Sequence, residues 1–143
     1  MRRVGVGQFD TKAAIVVRDD LATWQRLNVT AFLMAGVTAH AGPTAIGQDY
    51  EDADGRRYLS LLVQPVLVFE AGAGKLTTLR ERAERRGVRI AIYTREMFAT
   101  GNDEDNRATV RAVATDQLDL VGIGLRAPHR DADAILRGLA RHP

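Results

Sequence analysis

Four short runs of aliphatic and β-branched residues alternate along this chain with segments of helical spacing. The runs are AAIVVR, VLVF, VRIAIYT and LDLVGIGL, at residues 13–18, 66–69, 88–94 and 118–125. Each has the length and composition of a buried strand. Helices are predicted at about 24–36, 76–86 and 129–140. Strands that alternate with helices favour an α/β domain, with helices on both sides of a small sheet, in a three-layer sandwich.

The first predicted helix is apolar on nearly every side. It carries six apolar residues in a short span, namely Leu27, Val29, Ala31, Phe32, Leu33 and Met34. We therefore expect it to be largely enclosed. Asp20 or Thr23 is expected to cap its first turn.

The remaining segments are predicted to be mostly irregular. Residues 42–57 are rich in Gly and Asp and should form a loop with a turn at DADG. Residues 95–117 combine a possible short helix at REMFAT with a polar loop, GNDEDNR. Gly87 suits the position that follows the end of the second helix.

Composition excludes several classes of protein. The chain has 143 residues, no cysteine and a formal charge of +2, from 20 basic and 18 acidic residues. Its length predicts a single domain over residues 1–143, with 1–11 as a flexible or edge N-terminal segment. No apolar run reaches the roughly 20 residues of a membrane helix. The three histidines have no metal-binding spacing. We therefore expect a soluble, cytoplasmic protein without a metal, a cofactor or a membrane contact.

Two catalytic motifs fail on inspection. AGAGK, at residues 71–75, follows a strand and precedes a helix but lacks the spacing of a phosphate-binding P-loop. A weaker possibility remains, in which Lys75 and the helix N-terminus attract an anion. Ser60 is the only serine and lies in an apolar run without a G-x-S-x-G motif, so a serine hydrolase is not indicated.

The stretch VVRDDLATWQRLNVTAF, residues 16–32, carries the most specific signal. Arg18, Asp19 and Asp20 follow a predicted strand, and open α/β sheets commonly bind ligands at that edge. The same residues also have structural interpretations. Asp20 can cap a helix, Arg18 can pair with an acid, and Asn28 can satisfy buried backbone groups.

Several segments resemble an uncharacterised bacterial family, domain of unknown function 2000. The most specific are TWQRLNVTAF (23–32) and YTREMFATGND (93–103), and the resemblance extends from Lys12 to the end of the chain. That family is similar in turn to the peptidyl-tRNA hydrolase II fold, through the Lys-led strand that ends in Arg18, Asp20 and Leu21. The resemblance implies an α/β/α sandwich around a four- or five-stranded mixed sheet, and a homodimer.

The hydrolase's functional residues do not carry over with its fold. A Gly-Lys pair precedes its first helix, whereas this chain has Arg26, Leu27 and Asn28 in that region. Arg26 is the residue in this region that could supply the charge of the lysine. The later Asp and Thr of the hydrolase have no counterparts here. Sites rather than folds determine function, so catalysis is not implied.

Two functions follow as hypotheses. The first is a binding domain without catalysis, whose pocket takes a small anionic ligand and is lined by Arg18, Asp20, Trp24, Asn28, Tyr93, Thr94 and Arg95. The second is a hydrolase of the peptidyl-tRNA hydrolase type, acting on an ester-linked RNA substrate such as a tRNA. There Asp20 would orient water while Arg26 and Lys75 hold phosphates.

A third alternative is a purely structural dimer. Met97 and Phe98 could lie at a subunit contact as easily as in the core. The Arg-rich helix at 80–86 is interleaved with Glu81 and Glu84, which favours a solvated face over an RNA-binding track.

Overall fold

The computed structural model describes residues 9–140 of the chain. The first half contains β1 (Thr11–Arg18), α1 (Thr23–Ala41), β2 (Tyr50–Glu51), β3 (Arg57–Tyr58) and β4 (Val66–Ala71). The second half contains α2 (Ala73–Arg85), β5 (Ala91–Thr94), α3 (Asp103–Arg111), β6 (Leu120–Pro128) and α4 (His129–Ile135). Short 3₁₀ turns at Pro43–Ala45, Arg95–Ala99 and Thr115–Gln117 complete the described part.

The main sheet is mixed and has four strands in the order β4-β1-β6-β5. β1 pairs in parallel with β4, whereas β6 runs antiparallel to both of its neighbours, β1 and β5. β1 and β6 are therefore central, and β5 is an edge strand. The mixed α/β fold predicted from the alternating runs is confirmed, with a sheet of four strands.

One face of the sheet is covered by α2 and α4. The inner side chains of α2, Leu76, Leu79 and Ala83, are almost completely buried. They pack with Ile135 of α4 and with residues of the central strands in one apolar cluster. The predicted inner face of the second helix is confirmed, and Gly87 follows that helix with a φ of 66°.

α1 covers the opposite face. It buries Val29, Leu33 and Val37 against residues of β1 and β6. Gly122 permits this approach, because a Cβ atom built there would lie 2.4 Å from Val29 Cγ1. A glycine on β6 thus allows α1 to pack closely on the sheet.

The prediction that α1 is enclosed was wrong. Trp24, Leu27 and Phe32 are more than half exposed, and the helix buries one stripe rather than its whole circumference. The predicted cap was also wrong. The helix follows Ala22, whose N–H donates to the Gln25 side chain at 2.9 Å, and neither Asp20 nor Thr23 caps it.

Other segments differ from expectation in their bounds. The polar segment GNDEDNR enters helix α3, because Asn102 Oδ1 accepts from Asp105 N at 2.8 Å and three acids occupy the first turn. Residues 42–57 include the strand β2 and the first residue of β3. β5 begins only at Ala91, and α4 ends at Ile135. Of the N-terminal segment 1–11, residues 1–8 lie outside the described residues, and Thr11 pairs with Pro128.

Candidate functional site

Two arginines and two aspartates form a closed set of ion pairs at the end of the sheet where β1 stops and β6 begins. Arg18 ends β1, and its Nη1 lies 2.8 Å from Asp119 Oδ1 while its Nε lies 3.3 Å from Asp20 Oδ1. Arg95 reaches the same two carboxylates, with Nη2 at 3.0 Å from Asp20 Oδ2 and Nε at 3.4 Å from Asp119 Oδ2. We call this set the charged ring. Its two positive and two negative charges cancel.

Arg18 is the most deeply placed member of the charged ring. Its side chain is 13% exposed, and Nη1 also donates to the carbonyl of Leu120 at 2.8 Å. Burial by itself would lower the pKa of Arg18, but hydrogen bonds and charges from Asp119 and Asp20 outweigh burial and raise the pKa above its ordinary value. The guanidinium is therefore held by the fold's own carboxylates and ties the end of β1 to the start of β6.

Beside the charged ring lies a groove of about 980 Å³ between α1, β5 and α3. Its apolar walls come from Trp24 and Phe32 of α1, Tyr93 of β5, and Phe98 of the turn Arg95–Ala99. We call it the aromatic groove. The same turn supplies Arg95 to the charged ring, so the two features share one support.

The aromatic residues contact one another around the groove. Trp24 and Phe98 meet edge to face at 6.0 Å between ring centroids, and Phe32 and Tyr93 do so at 5.8 Å. Tyr93 and Phe98 complete the chain at 5.1 Å. Such pairs fix ring orientation beyond what burial alone requires. Trp24 and Phe32 nevertheless remain 62% and 55% exposed, which leaves an open apolar surface.

Polar groups enter the groove at a few points. Burial raises the pKa of the Tyr93 hydroxyl, and a hydrogen bond from Asn28 opposes that rise only in part. On the α3 side the lining includes Asn106, Arg107 and Arg111. Arg107 forms an ion pair with Asp103 one turn earlier in the helix.

The structure divides the sequence-predicted site residues into two groups. Trp24, Asn28 and Tyr93 line the aromatic groove, whereas Arg18, Asp20 and Arg95 belong to the charged ring. Thr94 lies between them. It is buried, and its Oγ1 has no hydrogen-bond partner among residues 9–140.

The two predicted anion contacts lie elsewhere. Arg26 forms an ion pair with Glu70, and it donates to the carbonyls of Leu21 and Asp19 at 3.0 Å. It thereby anchors the start of α1. Lys75 lies within α2, and its Nζ would stand 3.0 Å from a Cβ atom at Gly138.

Sequence reasoning did not select Phe32, Phe98, Asn106, Arg107 or Arg111 for the site. The sequence predicts an enclosed helix around Phe32, and it does not distinguish a core position from a subunit contact for Met97 and Phe98. The three α3 residues fell in or beside a segment interpreted as loop. One signal in the sequence could have found the α3 residues. Asn102 is a typical helix cap, and Asn106 and Val110 then lie four residues apart, on the same face of the helix.

Within residues 9–140, no group of three or more His, Asp or Glu side chains is arranged to hold a metal ion. None of the helices described is long and apolar enough to cross a membrane.

The fold and groove together define a small mixed α/β domain with an open aromatic groove beside its edge strand β5. The family model for "Protein of unknown function (DUF2000)" matches residues 11–143, so the chain belongs to this family. A solved structure of a protein of unknown function, Atu0240 from Agrobacterium tumefaciens strain C58, has 41% sequence identity and a TM-score of 0.91. The match covers 94% of this chain and 99% of that one. A comparison with curated proteins finds no match.

Proposed function

We propose that this domain binds a small organic anion with an apolar body in the aromatic groove, and that it acts as a binding domain rather than as an enzyme. One observation carries the proposal. Two large aromatic side chains, Trp24 and Phe32, stay more than half exposed although they are held by ring contacts. A concave apolar surface with a few convergent polar groups is the usual form of a small-molecule site.

The charge of the groove lining supports an anion. Among its lining residues Asp103 is the only acid, and it pairs with Arg107, so that Arg111 adds a net positive charge. Asn28 and Asn106 offer amide groups to polar parts of the ligand. An organic molecule with a carboxylate, sulfonate or phosphate group fits this combination better than a neutral one.

For the charged ring we propose a positioning role. Arg18 and Arg95 were expected to contact the anion directly, but each faces two carboxylates of the same chain. An external anion would have to displace one of these carboxylates. The ring instead holds the turn Arg95–Ala99, and with it Phe98, against the sheet.

The hydrolase alternative and the peptidyl-tRNA hydrolase II-like fold stay predictions. Asp20 and Arg26, which would serve that chemistry, are both engaged in ion pairs, so the contacts favour the binding domain. Titrating tRNA while following Trp24 fluorescence tests the alternative. A saturable, salt-sensitive change would favour RNA binding over the small ligand.

We also propose a cytoplasmic location and self-association as a homodimer. Leu59 and Leu61 support the dimer, because they are 87% and 63% exposed on a segment outside the aromatic groove. Sedimentation equilibrium of the wild type and of Leu59→Ser tests it. A monomer at all concentrations would contradict self-association.

The binding proposal is tested with anilinonaphthalenesulfonate, a fluorescent dye with an apolar body and one sulfonate. We expect saturable binding with one dye per chain, and about tenfold weaker binding to Phe98→Ala, because one aromatic wall is lost. The uncharged analogue N-phenylnaphthylamine should bind more weakly than the sulfonate.

Leu27→Ala is the matched control. Leu27 lies on the same helix as Trp24 and is 68% exposed, but it does not line the groove. Its removal should leave dye binding unchanged. Equal losses for Phe98→Ala and Leu27→Ala, or binding that does not saturate, would contradict the proposal.

A further inference from the structure

A second cavity of about 370 Å³ continues the aromatic groove along the line where α1 meets β5. It lies toward the C-terminal end of α1. Its chemistry comes from His40 of α1, Arg126 of β6, and Arg89 just before β5, beside the apolar side chains Val37 and Ile90. We call it the basic cavity.

The basic cavity is lined without a carboxylate. The side chains of Arg89 and His40 take part in none of the ion pairs or side-chain hydrogen bonds found within residues 9–140. Among the described residues the Arg126 guanidinium donates only through Nε, to Gln64 Oε1 at 2.9 Å, which leaves both of its terminal nitrogens as donors there. Two guanidinium groups and an imidazole that face one cavity favour an anion. The charged ring differs, because there each arginine is matched by acids.

The two cavities meet at Gly36 and Ala91, which line both of them. A Cβ atom at Gly36 would lie 3.6 Å from Ala91 Cβ, an ordinary van der Waals contact. Gly36 and Ala91 therefore lie side by side and form a low floor that the two cavities share. A larger side chain on either residue would project above this floor.

We propose that the basic cavity holds the anionic group of an elongated ligand whose apolar chain crosses over Gly36 and Ala91 into the aromatic groove. This inference rests on the proposed function and names its ligand class, a linear aliphatic acid. The spacing along α1 supports that class. His40 lies four residues beyond Gly36, which corresponds to about 6 Å of helix, so an acid group beside His40 leaves its chain to cross Gly36 and enter the aromatic groove.

The first test compares dodecanoate with dodecanol, which differ in the charged group, by following Trp24 fluorescence. We expect the acid to bind at least about tenfold more tightly than the alcohol, since charge-assisted hydrogen bonds are stronger than neutral ones. Arg89→Gln should remove most of that difference by weakening only the acid. Arg85→Gln, an exposed arginine on α2 at the opposite face, should leave both affinities unchanged.

The second test places a larger side chain on the floor that the two cavities share. Gly36→Leu is expected to weaken dodecanoate binding by about tenfold or more while leaving anilinonaphthalenesulfonate, which fits the aromatic groove alone, bound as before. Gly36→Ala, whose methyl group has room, should behave as the wild type. Circular dichroism checks that both variants keep their helix content.

The outcomes separate this inference from the function it rests on. Failure of the dye to bind the wild type would overturn the proposed function and this inference together. Dye binding together with equal affinities for dodecanoate and dodecanol would overturn this inference alone. The same holds if Arg89→Gln and Arg85→Gln weaken the acid equally, or if Gly36→Leu leaves dodecanoate binding unchanged.

Discussion

The two faces of the sheet are covered in different ways. On one face α2 and α4 lie side by side, and Leu76, Leu79, Ala132 and Ile135 are almost completely buried. On the other face α1 buries one stripe and leaves Trp24 and Phe32 exposed beside β5. Two helices close a four-stranded sheet, whereas one helix leaves an opening at the edge strand.

We expect this difference to separate the residues that mainly stabilise the fold from those that mainly affect the proposed binding. The apolar cluster on the face covered by two helices contains more buried residues than the cluster under α1, and large-to-small changes there should cost the most. The face covered by α1 keeps aromatic side chains accessible to a ligand. If this view is correct, substitutions on the first face should change unfolding, and those in the groove should mainly change binding.

The largest difference is expected between Leu79→Ala and Phe32→Ala. Leu79 is 1% exposed, so its truncation should lower the free energy of unfolding by about 2–5 kcal/mol through lost burial and a cavity. Phe32 loses mainly one edge-to-face contact, which corresponds to about 1 kcal/mol. Urea unfolding followed by circular dichroism measures both. Equal losses would show that the two faces do not differ.

Gly122→Ala tests how closely α1 is seated. The added Cβ would lie 2.4 Å from Val29 Cγ1 and 2.9 Å from Leu33 Cδ1, so the free energy of unfolding should fall by about 1–3 kcal/mol. Gly74→Ala on α2 is the control, because a Cβ there meets nothing within 4 Å and should stabilise the helix by about 0.5 kcal/mol. A neutral Gly122→Ala would contradict the close seating of α1.

The charged ring gives a smaller comparison between its two arginines. Arg18→Gln should lower the free energy of unfolding by about 1–3 kcal/mol, because Asp119 and the Leu120 carbonyl lose their shared donor. Arg95→Gln, at a more exposed side chain, should cost less than about 1 kcal/mol. Urea unfolding at low and high salt separates the two. A larger loss of unfolding free energy for Arg95→Gln than for Arg18→Gln would contradict the view that Arg18 is the main stabilising residue of the charged ring.

The smallest expected effect is in the titration of Tyr93. Because burial raises the pKa of its hydroxyl, the unfolded chain ionises first as the pH rises above about 10. The folded state then binds the extra proton, so stability falls as the pH increases through that range. Phe98→Ala opens the groove to water and should lower the pKa of Tyr93 toward its ordinary value. Absorbance of the phenolate measures this, and an unchanged titration would contradict burial as the cause.

Much of the fold could be predicted from residue pattern. The four strands appear within about three residues of the apolar runs that predicted them, and the helix with inner residues Leu76, Leu79 and Ala83 is present. The error at α3 was avoidable, since Asn102 followed by acids is a helix start. The exposure of α1 could not be predicted in the same way, because the composition of one helix does not show how many helices cover the same face of the sheet.

The candidate site was likewise predictable only in part. Trp24, Asn28 and Tyr93 were named from their places near strand ends, and they do line one groove. Asp119 was not foreseen, although it accepts from Arg18 at 2.8 Å. An ion pair between residues 101 positions apart in sequence has no local signature.

The amino-acid sequence by itself determined where the chain forms strands and helices, because alternation of apolar residues and backbone preferences act over a few neighbours. Tertiary structure decided which charges cancel and which apolar side chains stay open. Arg18 meets Asp119 only because β6 lies antiparallel to β1. Trp24 and Phe32 stay accessible because, within residues 9–140, α1 packs on this face of the sheet and leaves a groove open between itself, the edge strand β5 and α3. Both results depend on contacts between distant segments, which no local pattern encodes.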